Sequence, residues 1–107
     1  MHLPDGLIPD VVVHLPEGRN LVVDSKVSLT AFVAYANASG DEECHRLLRR
    51  HLDSVRTHVN ELSAKHYEKR VEGAVGYVLM FIPHEAAYVA AVTADDSLSA
   101  EAYRKHV

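Results

Sequence analysis

PDVVVHLPEGRNLVVDSK, residues 9–26, is the stretch on which the fold turns. Two β-branched runs, Val11 to Val13 and Leu21 to Val23, flank Pro16-Glu17-Gly18, and such runs around a Pro/Gly break are a hairpin signature. Asp10 opens the first run, Asp24 closes the second fourteen residues later, and Lys26 follows two residues on. Side chains alternate faces along a strand, so Asp24 and Lys26 share one face while Ser25 points away. With Glu17 to Arg19 as a three-residue loop, Asp10 pairs with Lys26 and Val12 with Asp24, and paired residues share a face. The three functional groups then converge, whereas a slip of one residue would scatter them.

Two carboxylates and a lysine on adjacent strands are the minimum set for metal-assisted phosphodiester cleavage. A hard cation such as Mg²⁺ or Mn²⁺ binds through one or two carboxylates, with waters and phosphate oxygens completing its shell. It lowers the pKa of bound water and offsets the charge that develops on phosphorus. A lysine adds a positive point charge beside the attacking water. The bland alternative for Asp-x-Lys is a polar strand end, and the tripeptide by itself favours that alternative.

The rest of the chain places this hairpin in an α/β setting. Ser28 to Ala38 reads as a short helix ending before Gly40. Asp41-Glu42-Glu43 then opens a long helix with acids at the favourable end of its dipole, running to about Lys69. Its apolar stripe is Leu48, Leu52, Val55, Val59 and Leu62, which suits packing on a sheet better than a self-associating coiled coil. Gly73 to Gly76 reads as a turn and Tyr77 to Ile82 as a strand buried on both faces. Pro83 ends it, and helices follow over Glu85 to Ala94 and Ser97 to His106. The order ββααβαα gives one mixed sheet with helices packed against it.

Composition agrees with a single soluble domain of 107 residues, 48% of them hydrophobic and with no apolar run long enough to span a bilayer. No charged-then-apolar leader is seen, and the single Cys44 excludes an internal disulfide, a zinc ribbon and a CxxC redox site. A reducing, cytoplasmic setting is the default expectation. Net charge is −4, against expectation for a nucleic-acid binder, but residues 44–70 hold seven Lys or Arg against three acids. Arg49 and Arg50 on this basic helix are candidate DNA contacts, a solvated amphipathic face being the competing reading. Eight histidines offer no HExxH pattern; His51 and His58 lie two helical turns apart, too far for a shared zinc without a third ligand. His45, His66 and His106 read as surface residues, and Tyr35, Tyr67 and Tyr88 as core aromatics. Glu85 either borders the metal site or sits against the dipole of the helix it opens.

The segments Pro9 to Pro16, Val22 to Ala31, Ser54 to Tyr67 and Val78 to Glu85 together resemble, in order and spacing, the DNA recombination protein RmuC family over roughly residues 7–105. The resemblance implies a restriction-endonuclease-like PD-(D/E)xK core, a mixed sheet sandwiched by helices, here incomplete. It makes Asp10 the first acid, Asp24 the second and Lys26 the lysine, with Asp10, Asp24 and the Ser25 backbone carbonyl as metal ligands. Arg56, His58 and Lys65 fall in a shared motif and become candidate phosphate contacts. Members are associated with DNA recombination and with limiting inverted-repeat rearrangement, and are described as nuclease candidates. Their full chains carry an inner-membrane anchor, a coiled coil and an upstream helix with a glutamate for the metal site, none of which is recognisable here. Gly76 also departs from the family, where an aspartate is common.

Two functions from different classes follow. One is a metal-dependent deoxyribonuclease domain using Asp10, Asp24 and Lys26. The other is a non-catalytic DNA-binding or scaffold module working through the basic helix 44–70. DNA is the expected partner in both, no membrane contact is expected, and an exposed sheet edge would favour a homodimer.

Overall fold

The structure, a computed structural model, describes residues 10–24 and 28–107. It is a mixed α/β fold around a sheet in the order β1 (Val11–His14), β2 (Asn20–Asp24), β3 (Ala74–Met80). The first two strands are antiparallel and β3 runs parallel to β2. The helical segments are α1 (Thr30–Asn37), α2 (Asp41–Lys65), the single turn α3 (Tyr67–Arg70), α4 (Glu85–Ala94) and α5 (Leu98–Arg104). The crossover from β2 to β3 carries α1, α2 and α3, as a parallel connection demands.

The hairpin forms as expected but in a different register. Val11 pairs with Val23, Val12 with Val22 and His14 with Asn20. The expected pairing of Asp10 with Lys26 and Val12 with Asp24 is therefore corrected by two residues. The cause is the turn: Leu15 N–H donates to Arg19 O at 2.7 Å, so five residues close the loop around a 3-10 turn at Pro16–Gly18. Glu17 (φ 66°) and Gly18 (φ 72°) both adopt left-handed geometry there. A shift of two keeps every side chain on its face.

Helix α2 ends earlier than its apolar pattern implies, at Lys65 rather than Lys69. His66 takes the left-handed conformation (φ 51°, ψ 47°) that commonly terminates helices. The chain then re-aims, burying Tyr67 and Val71 with Val22, Leu62 and Val78 in one core cluster. A second cluster joins Val55, Ala91 and Leu98 between α2, α4 and α5.

Four further expectations are corrected. Ala74 to Gly76 belong to β3, not to a turn, because Asn20 N–H bonds Gly73 O at 2.8 Å and starts the ladder there. Strand β3 is not buried on both faces: Val78 is buried, but Leu79 is 50% exposed. Nor do helices sandwich the sheet, since among the described residues they cover the face of Val22, Asp24 and Val78, while Val11 and Val13 on the opposite face are exposed. Tyr88, expected in the core, is exposed. Strand β3 lies at the edge, where His106 O accepts from Val78 N–H and blunts it.

Two local devices hold these layers together. Gly73 (φ 71°) lies so close to the hairpin loop that a Cβ would fall inside the contact distance of Gly18 O. Arg56 on α2 bridges Asp95 Oδ2 (2.6 Å) and Glu101 Oε2 (2.9 Å), tying α5 and the α4–α5 junction to the long helix. The Ser97 hydroxyl and then the Arg56 guanidinium pull the Asp95 carboxyl down to about 2.

Gly73→Ala is expected to cost about 1–3 kcal/mol, from left-handed backbone strain plus the clash. Gly18→Ala, which meets no neighbouring atom, should cost less; chemical denaturation of both variants checks the order. Asp95 has a depressed folded pKa, so its ionised contribution is full above the unfolded value and is lost as pH falls toward about 2. Arg56→Met should therefore melt lower than the parent at neutral pH, and the gap should close across roughly pH 4 to 2 in a melting series.

Candidate functional site

Asp24 ends β2 on the inner face of the sheet, two residues from the core residue Val22, so strand alternation drives its carboxylate inward. It is 0% exposed, and its backbone carbonyl accepts from Phe81 N–H at 2.8 Å. A buried carboxylate requires partners. Lys65 Nζ lies 3.4 Å from Asp24 Oδ2, and His58 Nε2 lies 3.6 Å from Oδ1.

Helix geometry explains why these two side chains reach one carboxylate. His58 and Lys65 are seven residues apart, just under two turns, and so lie on the same side of α2. His58 is buried, and its Nδ1 faces Glu61 Oε2 at 3.6 Å. At 3.6 Å these histidine contacts are longer than hydrogen bonds, and Nε2 has no hydrogen-bond partner among the described residues. An open hollow of about 280 Å³ is lined by Ser28, Ser54, Thr57, His58 and Glu61.

Lys65 closes α2, where a cation is favoured by the helix dipole. Burial is the largest single influence and works against its ammonium, but the charge of Asp24, the hydrogen bond to it and the neighbouring Tyr67 together outweigh burial and raise the pKa above that of an ordinary lysine. The same ammonium stands 5.7 Å from the centroid of the Tyr67 ring, within cation–π reach. Tyr67 is 1% exposed, and its hydroxyl has no hydrogen-bond partner among the described residues.

Asp10 is exposed and immediately precedes β1. Continuing the observed register by one residue sets it opposite Asp24, at the same end of the hairpin. Ser25 and Lys26 lie outside the described residues. Of the candidate phosphate contacts, His58 and Lys65 are brought to Asp24, while Arg56 is held by Asp95 and Glu101. Arg49 and Arg50 are exposed on the amino-terminal half of α2, beside a hollow of about 750 Å³ that His45, Arg46, Glu42 and Asp53 also line. Glu85 is exposed in the first turn of α4, a helix held to α2 by the bond between His51 Nε2 and Ala87 O (2.8 Å). His51 lies two turns from His58, so Glu85 belongs to the other end of the helix pair.

Sequence reasoning missed the contacts of Glu61 and His51 around this arrangement, while Tyr67, expected as a core aromatic, is buried. The available signal was spacing: His51, His58 and Lys65 recur every seven residues within an otherwise apolar stripe.

Among the described residues no three His, Cys, Asp or Glu side chains gather as a metal cage. A closed structural zinc site is not the chemistry of this donor set. Two hard oxygen donors at one end of a hairpin do suit Mg²⁺ or Mn²⁺, which keep waters and take substrate oxygens. A cation already rests on the inner donor, in the form of the Lys65 ammonium.

Residues 2–107 match the model of the RmuC family. A protein of Vibrio cholerae named DNA recombination protein RmuC homolog is 42% identical over 101 residues, covering 92% of this chain and 20% of the relative. A homolog of the same name from Neisseria meningitidis serogroup A is 43% identical over 103 residues, covering 94% and 17%. The DNA recombination protein RmuC of Salmonella typhimurium is 39% identical, covering 92% and 21%. The chain thus spans about a fifth of the length of these relatives. No solved structure matches it significantly. A family match over nearly every residue, with the hairpin and the α2 residues that meet at Asp24 inside it, makes this chain a member of the RmuC family.

Proposed function

We propose that this chain forms part of a DNA recombination protein and carries a metal-assisted phosphodiester-cleaving site of the PD-(D/E)xK type. The observation that carries the reading is Asp24, a wholly buried carboxylate held between Lys65 and His58 at the end of a hairpin whose other acid, Asp10, is open to solvent. One buried and one exposed carboxylate divide the work well: the first is fixed by packing, the second admits substrate.

Asp10 and Asp24 would hold Mg²⁺ or Mn²⁺, with the Ser25 carbonyl as a further donor. When bound, the cation supplies an activated water and neutralises charge on the phosphate. His58 acts by position: wedged between Asp24 and Glu61, it restrains the Asp24 carboxylate while staying in the helix. Lys65 and Lys26 are the cations that would meet a phosphate oxygen or the attacking water. Phosphodiester backbones of DNA are the substrate class, as the names of the relatives suggest.

With linear duplex DNA and Mn²⁺, the parent chain should cleave and stop on chelation. Asp24→Asn, which preserves shape, and Asp10→Asn should each lower the rate by at least about a hundredfold, beyond the usual cost of losing a supporting partner. Cleavage at parental rate by a folded Asp24→Asn chain would end this reading.

A second reading, DNA binding without cleavage through α2, is favoured by one observation. Arg46, Arg49, Arg50 and His45 lie together around an open hollow, remote from Asp24 along the helix. Replacing both Arg49 and Arg50 by Ala should lower the slope of log affinity against log salt by about 1–2. Arg56→Met should leave that slope unchanged, because its guanidinium is already committed to Asp95 and Glu101.

A further inference from the structure

We propose that the Lys65 ammonium is the resident counter-ion of Asp24, and that a divalent cation entering between Asp24 and Asp10 displaces it and frees it for a phosphate oxygen. This inference rests on the metal-assisted reading above and adds a loading step to it.

Four features point this way. First, Asp24 is 0% exposed, so its charge must be compensated whether or not a metal is present, and Lys65 at 3.4 Å does so. Second, the ammonium sits on Oδ2, an oxygen that a hard cation would use; the two positive charges cannot share it without strong repulsion. Third, Lys65 and His58 differ in freedom. His58 has an 8% exposed side chain in the body of α2, whereas the Lys65 side chain is 27% exposed on the last residue of that helix. A four-carbon stem with three rotatable donors can swing without disturbing the fold. Fourth, the ammonium has an attraction that does not depend on Oδ2: while it sits on Asp24 it already stands 5.7 Å from the centroid of the Tyr67 ring, within cation–π reach.

The chemistry that follows is an exchange of counter-ions. Without a divalent cation, Lys65 neutralises Asp24 and keeps the buried carboxylate from opening the core. With one, the same lysine becomes a free donor beside the site, placed to pair with a DNA phosphate. Lys65 is thus a positioning residue for the carboxylate and then a substrate-facing cation.

Calorimetric titration with Mn²⁺ of the parent, Lys65→Met and Lys65→Arg, each shown to be folded by circular dichroism, tests this directly. Removing the competing charge should tighten Mn²⁺ binding by ~10-fold in Lys65→Met, the order expected for a partly screened charge a few ångströms away. Lys65→Arg, which keeps the charge, should stay near the parent. The melting temperature of Lys65→Met should also rise more on adding Mn²⁺ than that of the parent. If the methionine variant does not fold, Lys65→Gln, which keeps a donor for Asp24 without the charge, must show the same tightening. Equal or weaker Mn²⁺ binding by the folded, uncharged variant overturns the displacement while leaving the metal site standing. Absence of binding in the parent and in every variant overturns both.

Discussion

A carboxylate with no exposed surface must be paired or protonated, and this constraint on Asp24 organises everything around it. Strand alternation makes the burial unavoidable: once Val22 packs under Leu62 and Val78, the residue two positions on must face the same interior. Desolvating a carboxylate costs several kcal/mol, offset only by well-placed charges. Helix α2 supplies one, the Lys65 ammonium on one oxygen, and sets the His58 ring near the other. Removing the Lys65 ammonium would take away a charge that faces this buried carboxylate, the more damaging way to break such a pair. The position of α2 over the sheet is therefore set by electrostatics as well as by its apolar stripe.

The termination of α2 follows from the same demand. Were the helix to continue through Lys69, Tyr67 and Val71 would follow helical directions instead of turning into the cluster with Val22 and Val78. His66 absorbs the change in a left-handed conformation that suits glycine or asparagine better. The break leaves Lys65 at a helix carboxyl end with its side chain beside the Tyr67 ring. Backbone strain at one residue thus accompanies a cation placed between a buried acid and an aromatic face.

Much of this was legible in the residues. The hairpin follows from two valine-rich runs around Pro16 to Gly18, and alternation puts Asp24 on the same face as Val22, which the structure buries. The register did not follow, because loop closure depends on Glu17 adopting a left-handed conformation that nothing in its chemistry announces. The error of two residues preserved the faces but changed the partners, placing Asp10 rather than Val12 across from Asp24. Strand β3 misled for a different reason. An unbroken apolar run usually means burial on both sides, yet Leu79 and, beyond the strand, Phe81 are half exposed. Arg56 is a candidate phosphate contact through the shared motif, and that motif does not announce the ion pairs that hold its guanidinium. Its partners Asp95 and Glu101 lie 39 and 45 residues away, beyond any local pattern.

The spacing of His51, His58 and Lys65 shows how one helix can act as a ruler. Seven residues fall about 20° short of two full turns, so three polar groups at this interval form a slowly drifting line. Each meets a different demand along that line. His51 bonds Ala87 O and fixes α4, His58 stands against Asp24 Oδ1, and Lys65 rests on Oδ2. Val55, Val59 and Leu62, interleaved with them, are buried and hold the line rigid. A shift of α2 by one turn would unseat all three polar contacts together. The site at Asp24 is therefore coupled through the helix to the docking of α4 and, through Arg56, to that of α5. A lysine free to move at the far end of a helix so firmly held can exchange partners while the carboxylate beneath it stays in place.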